Sequence, residues 1–168
     1  MSQWSSSLLP VTDPAITWEK VAERDPLPEG LGEATVDVTI AGSEIENLTR
    51  LAFREISHFL RTDHLESLSA ILDDREASVN DRAVAIDLLK NAAIASGGVL
   101  PMCQDTGTAI VYARRGHNVV TDGRDYQYIE DGIRRSFTED NLRYSQLAPL
   151  TTWTEVNTQS NLPAEIEI

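Results

Sequence analysis

The strongest constraint on this chain is a break. A run of helical periodicity stops at Gly97-Gly98, Pro101 follows, and the single cysteine, Cys103, comes two residues later with Gln104, Asp105, Thr106 and Gly107 behind it. Paired glycines end a helix and Pro101 biases Leu100 towards extended backbone, so Cys103 is predicted on a non-helical loop that enters a strand. Loops held between rigid elements are where reactive groups concentrate. A lone cysteine is ordinarily a small buried hydrophobe, and an aspartate in a loop is ordinarily a cap or turn residue. The amide and the acid beside the thiol set this one apart.

The elements around the break follow from periodicity. Ile45, Leu48, Ala52, Ile56, Phe59 and Leu60 recur at three- and four-residue steps behind the capping-box pair Ser43 and Glu46, which predicts an amphipathic helix over about 44–61. Asp63 and Glu66 open a shorter helix carrying Leu65, Leu68 and Leu72. Ser78 and Asp81 open a third, through Val84, Ala85, Leu88, Leu89 and Ala92. Beyond the cysteine, 108–113 reads as a buried strand, Val119-Val120 as a brief strand pairing back, and Tyr126, Ile129, Ile133 and Phe137 as a fourth helix. That helix starts near Asp122 or Asp125 and ends before Asn141. A polar loop of about 25 residues is expected from Asn141, until Glu165-Ile166-Glu167-Ile168 begins a strand. Residues 1–42 hold four of the seven prolines and read as a largely irregular arm, with 36–40 as a strand candidate and Trp4 and Trp18 as its anchors. The expected class is α+β: a helix-rich N-terminal part with a small β-sheet packed against helices, the arm at 1–42 and the domain at 43–168.

Charge narrows the function. A net charge of −13 argues against nucleic acid and anionic membrane surfaces, which call for basic patches. No apolar run approaches the ~18 residues of a membrane span. The first residues lack the basic and apolar regions of a signal peptide, and one cysteine makes no internal disulfide, so a reducing, cytoplasmic setting is expected. Twelve arginines stand against two lysines. A small dianion repelled by the net charge needs such planar, bidentate cations to reverse the sign locally.

The run Gly98-Val99-Leu100-Pro101-Met102-Cys103-Gln104-Asp105-Thr106-Gly107-Thr108-Ala109-Ile110 resembles the signature of class I, iron–sulfur-dependent fumarate hydratases. Two further stretches resemble that family in the same order. One is Glu139-Asp140-Asn141-Leu142-Arg143-Tyr144-Ser145-Gln146 with Ala148-Pro149-Leu150; the other is Glu155-Val156-Asn157-Thr158 with Asn161-Leu162-Pro163-Ala164. With Glu76-Ala77-Ser78-Val79-Asn80-Asp81 upstream, the likeness covers roughly 43–168. It implies reversible hydration of fumarate to malate at a 4Fe-4S cluster held by three cysteine thiolates, whose fourth iron has no protein ligand and acts as a Lewis acid. By the same resemblance Cys103 is the first thiolate, Gln104 and Asp105 contact the substrate, and Arg143 clamps a substrate carboxylate. Asp105 is the catalytic candidate, in proton transfer or in orienting the hydroxyl. The implied partner is a small dicarboxylate, and the full-length parent is expected to be a homodimer.

One cysteine cannot hold such a cluster unaided, so two further Cys ligands are absent and the chain is expected to be an N-terminal piece, inactive alone. Gln159-Ser160 stands where the family tends to have Gly-Thr, and Glu165 where it tends to have Gln. Three alternatives remain: a hydro-lyase of tartrate or a methyl-substituted malate, a non-catalytic dimerisation module, or an aspartic protease built on Asp105-Thr106-Gly107. The last requires a nearly all-β fold, against three helices ahead of the triplet. His58, His64 and His117 receive no catalytic role.

Overall fold

The computed structural model describes residues 37–104 and 107–168. The Trp4 and Trp18 anchors, the arm before Asp37, and Asp105 with Thr106 lie outside the described residues. Helix α1 spans Gly42–His58, α2 Thr62–Asp73, α3 Val79–Ala95 and α4 Asp125–Glu139. The third start is as the spacing predicts: Ser78 Oγ accepts from the Asp81 N–H at 3.1 Å and Asp81 Oδ2 from the Ser78 N–H at 2.8 Å. Those bonds hold the Asp81 carboxyl below its ordinary pKa. At α1 the predicted box is displaced. Ser43 already lies inside the helix, so Glu44 reaches back to the Ala41 N–H at 2.9 Å, while Glu46 turns to Arg135 of α4 at 2.7 Å.

The core forms where α4 crosses α1. A Cβ at Gly132 would stand 2.5 Å from the Glu46 carbonyl oxygen and 2.7 Å from Thr49 Cβ, so the two backbones meet where no other residue fits. One turn on, the buried Ser136 hydroxyl bonds the Gly132 carbonyl at 2.9 Å. On either side Ile129, Ile133 and Phe137 pack with Ala109 and Leu142, and Phe53 of α1 tilts against Phe137 with ring centroids 6.2 Å apart. Arg50 pairs with Asp140 at 2.8 Å across the same seam. Arg135, bonded to Glu139, keeps that carboxyl below its ordinary pKa. Helices α2 and α3 pack mainly on each other.

The strands are short. β1 (Val38–Thr39) runs parallel to β3 (Val119–Val120), with Val38 opposite Val119. Val119-Val120 therefore does not fold back on the preceding strand: six residues separate it from Tyr112, more than the two to five of a tight hairpin. That preceding strand, β2 (Ile110–Tyr112), pairs in parallel with β6 (Glu165–Glu167), Val111 opposite Ile166. It is buried on one face only, since Ile110 and Tyr112 are 53% and 71% exposed. The stretch expected as a polar loop contains an antiparallel pair, β4 (Leu147–Pro149) and β5 (Glu155–Asn157), closed by the Leu150 N–H on the Thr154 carbonyl at 2.8 Å. Both strands are largely exposed, so no apolar alternation marks them. The α+β class stands, with its β part divided among three two-stranded ladders. Among the described residues no helix is long and apolar enough to cross a membrane.

Candidate active site

Cys103 leaves the end of α3 on an irregular segment, as the glycines and Pro101 predict, and its side chain is exposed. It borders a cavity of about 310 Å³ floored by Phe53, Phe137 and Ala109 and flanked by Ser57, Met102 and Thr108. The main chain just before the thiol is held from two helices: the Met102 N–H donates to the Ser57 carbonyl of α1, and Asn91 Nδ2 of α3 donates to the Met102 carbonyl, both at 2.9 Å. Exposure alone would leave the sulfur loosely placed; these two bonds fix the peptide that carries it.

The later segments come to the same place. Asn141, at the end of α4 with φ +58°, donates to the Val99 carbonyl at 3.1 Å, and Leu142 enters the core. Arg143 follows and is exposed. Its neighbours are fixed to their surroundings: Asn157 Nδ2 donates to the Tyr144 carbonyl at 3.1 Å, and Thr108 Oγ1 donates to Gln146 Oε1 at 3.1 Å. The centre of the arrangement is Asn161, fully buried. Its Oδ1 accepts the N–H groups of Ser145 and Gln146 at 3.0 and 3.1 Å, and its Nδ2 donates to the Gly107 carbonyl at 2.8 Å. Gln104 is exposed beside Cys103; Asp105 lies outside the described residues.

Of the predicted site residues, then, Cys103 and Gln104 sit at one edge of this assembly and Arg143 on the segment stitched against it. The asparagines that do the stitching carried no role in the sequence reading. Asn161 stood inside a quoted motif, yet nothing local marks an amide whose partners lie 15, 16 and 54 positions away. An exposed sulfur on a fixed peptide beside an open cavity suits a soft metal ligand, and one thiolate is one corner of a cluster. Among the described residues no group of three His, Cys, Asp or Glu side chains is gathered for a metal ion.

An α+β chain with a cysteine poised on the loop between its third helix and the next strand, and an arginine segment bonded to that loop's far end, defines the architecture. The family model for fumarate hydratase (Fumerase) matches residues 46–168. This chain belongs to that family. It is 51% identical over 121 residues to fumarate hydratase 2 of Leishmania major, covering 72% of this chain and 21% of the relative. It is 49% identical over 133 residues to the anaerobic class I fumarate hydratase of Escherichia coli strain K12, covering 77% of this chain and 24% of that one. The mitochondrial fumarate hydratase 1 of Leishmania major is 49% identical over 121 residues, 72% of this chain and 22% of its own length. The chain thus spans between a fifth and a quarter of the relatives it matches. Membership, with the helices ahead of Asp105-Thr106-Gly107, removes the aspartic-protease alternative.

Proposed function

We propose that this chain supplies the N-terminal part of the catalytic domain of a class I fumarate hydratase, a hydro-lyase interconverting fumarate and malate, with residues 43–168 as the incomplete domain behind an N-terminal arm. The observation that carries this reading is the Asn161 junction, which bonds Gly107 beyond Cys103 to the segment just past Arg143. Cys103 would hold one corner of a 4Fe-4S cluster as its thiolate, the other two thiolates coming from polypeptide beyond these residues. When bound, such a cluster supplies Lewis acidity at its open iron, towards the hydroxyl of malate or the water that adds to fumarate. Arg143 grips a substrate carboxylate with its guanidinium fork, offsetting the negative charge that builds there as the neighbouring carbon loses its proton. Gln104 orients the substrate, and Asp105 holds or moves a proton beside the reacting hydroxyl. The assembled enzyme is read as a homodimer in the cytoplasm, a reducing compartment in which thiolates stay free to hold a cluster.

Replacing the matching segment of the Escherichia coli anaerobic class I enzyme with residues 46–168 tests this. After anaerobic reconstitution the chimera is expected to dehydrate malate and to show cluster absorption. Cys103→Ser should abolish both, and Arg143→Lys should raise KM roughly tenfold or more with the cluster intact, the worth of a lost charge-assisted bond. Equal cluster loading with Cys103→Ser would refute the assignment.

A further inference from the structure

Cys103, Gln104 and Asp105 are bracketed in sequence by Met102 and Gly107, and an asparagine amide grips each bracket. Asn91 donates to the Met102 carbonyl from the exposed side of α3 at 2.9 Å. Asn161 donates to the Gly107 carbonyl from a fully buried position at 2.8 Å. The two differ in what else they hold. Asn91 holds the loop through this bond, whereas Asn161 also accepts, through Oδ1, from Ser145 and Gln146, the second and third residues past Arg143. Only a side chain with a donor on one prong and an acceptor on the other satisfies both loops; aspartate offers acceptors alone and alanine neither. The φ of +57° at Asn161 adds a second reason for this residue type, since asparagine enters the left-handed region at less cost than most.

We propose that Asn91 and Asn161 are paired positioning residues: together they set the place of the Cys103 sulfur, and Asn161 in addition locks the Arg143 segment to the cysteine loop. Neither touches substrate. Removing the Asn161 amide leaves two N–H groups and one carbonyl at a buried junction without partners, which loosens thiol and guanidinium relative to each other. This rests on the assignment of Cys103 and Arg143 to one pocket, but its test reads conformation rather than turnover.

Because Cys103 is the single cysteine, alkylation of the 168-residue chain with a trifluoromethyl reagent installs one fluorine reporter, and amide hydrogen exchange reports Ser145 and Gln146 independently. Asn161→Asp keeps the acceptors and loses the donor: exchange at Ser145 and Gln146 should stay near wild type while the fluorine resonance broadens or splits. Asn161→Ala should change both, with protection at the two amides falling roughly fivefold or more. Asn91→Asp, an exposed substitution that leaves the core alone, should change the fluorine signal only. If Asn161→Asp does not fold, the Asn91 variant carries the test. The proposal is overturned if the fluorine line of Asn91→Asp superimposes on wild type, or if Asn161→Ala leaves Ser145 and Gln146 protected. It is equally overturned if every variant changes both readouts in step with melting temperature, as the core control Ile133→Val would, because a merely structural role predicts that. An inactive chimera with the split pattern of readouts would sink the fumarase assignment and leave the clamp standing; an active chimera without that pattern would do the reverse.

Discussion

Gln159 shows what one residue costs in the wrong backbone region. Its φ of +57° lies in the left-handed region, where a side chain costs roughly 1–2 kcal/mol and glycine nothing. The local geometry is fixed by its own N–H, which donates to Asn157 Oδ1 at 2.8 Å, and the side chain is exposed. The family resemblance implies glycine at this position, so the departure seen in the sequence has a conformational meaning rather than a chemical one. Gln159→Gly is expected to raise stability by roughly 0.5–1 kcal/mol, the relief being partly offset by glycine's freedom in the unfolded chain. A urea melt checks it, and an unchanged or lowered midpoint would show that the turn is not strained. Asn141 and Asn161 share the same region but bring amides that bond across the site, so the same substitution there should weaken the fold.

At the scale of elements, the α1–α4 crossing is the feature on which the core depends. Small residues one turn apart, Gly132 and Ser136, let the helices close, and Ile129, Ile133 and Phe137 fill the space on either side. Gly132→Ala gains about 1 kcal/mol of helix propensity yet drives a methyl into the Glu46 carbonyl, a wall of backbone that cannot swing aside. With overpacking costing roughly 1–3 kcal/mol, a net loss of about 1–2 kcal/mol is expected. Chemical denaturation should show a lower midpoint at unchanged slope. A variant as stable as wild type would mean the helices sit further apart. Since Phe53 and Phe137 floor the cavity beside Cys103, separating these helices should also disturb the fluorine reporter at the thiol.

Over the whole molecule, the chain is closed by the pairing of β2 with β6, which brings Val111 opposite Ile166 and lets the Ala113 N–H donate to the Glu167 carbonyl at 2.8 Å. Ile166 and Ala164 pack on the same cluster as Ile133 and Phe137, so the last strand is tied to the core rather than laid beside it. Ile166→Ala should cost roughly 1–2 kcal/mol, less than a fully buried isoleucine because this one is half-buried. Hydrogen exchange at Ala113 should speed up in the same variant. If that amide stays protected while the melt shifts, closure does not depend on the side chain.

Local chemistry was legible in the sequence because it acts over a few residues. The Ser78–Asp81 box, the stop at Gly97-Gly98, the three helices before the cysteine, and the non-helical loop that carries Cys103 each follow from neighbours in the chain. The three motifs that mark the family are legible for the same reason. Which strand pairs with which was not: Val119 met Val38 instead of β2, and a hairpin hid in polar sequence because its faces are solvated. The junction at Asn161 was invisible too, since an asparagine in a turn looks the same whether its amide faces water or a carbonyl 54 residues back. Only the packing of α4 on α1 and the return of the chain beside β2 bring those partners together, and hydrogen bonds across such distances are decided by the fold as a whole.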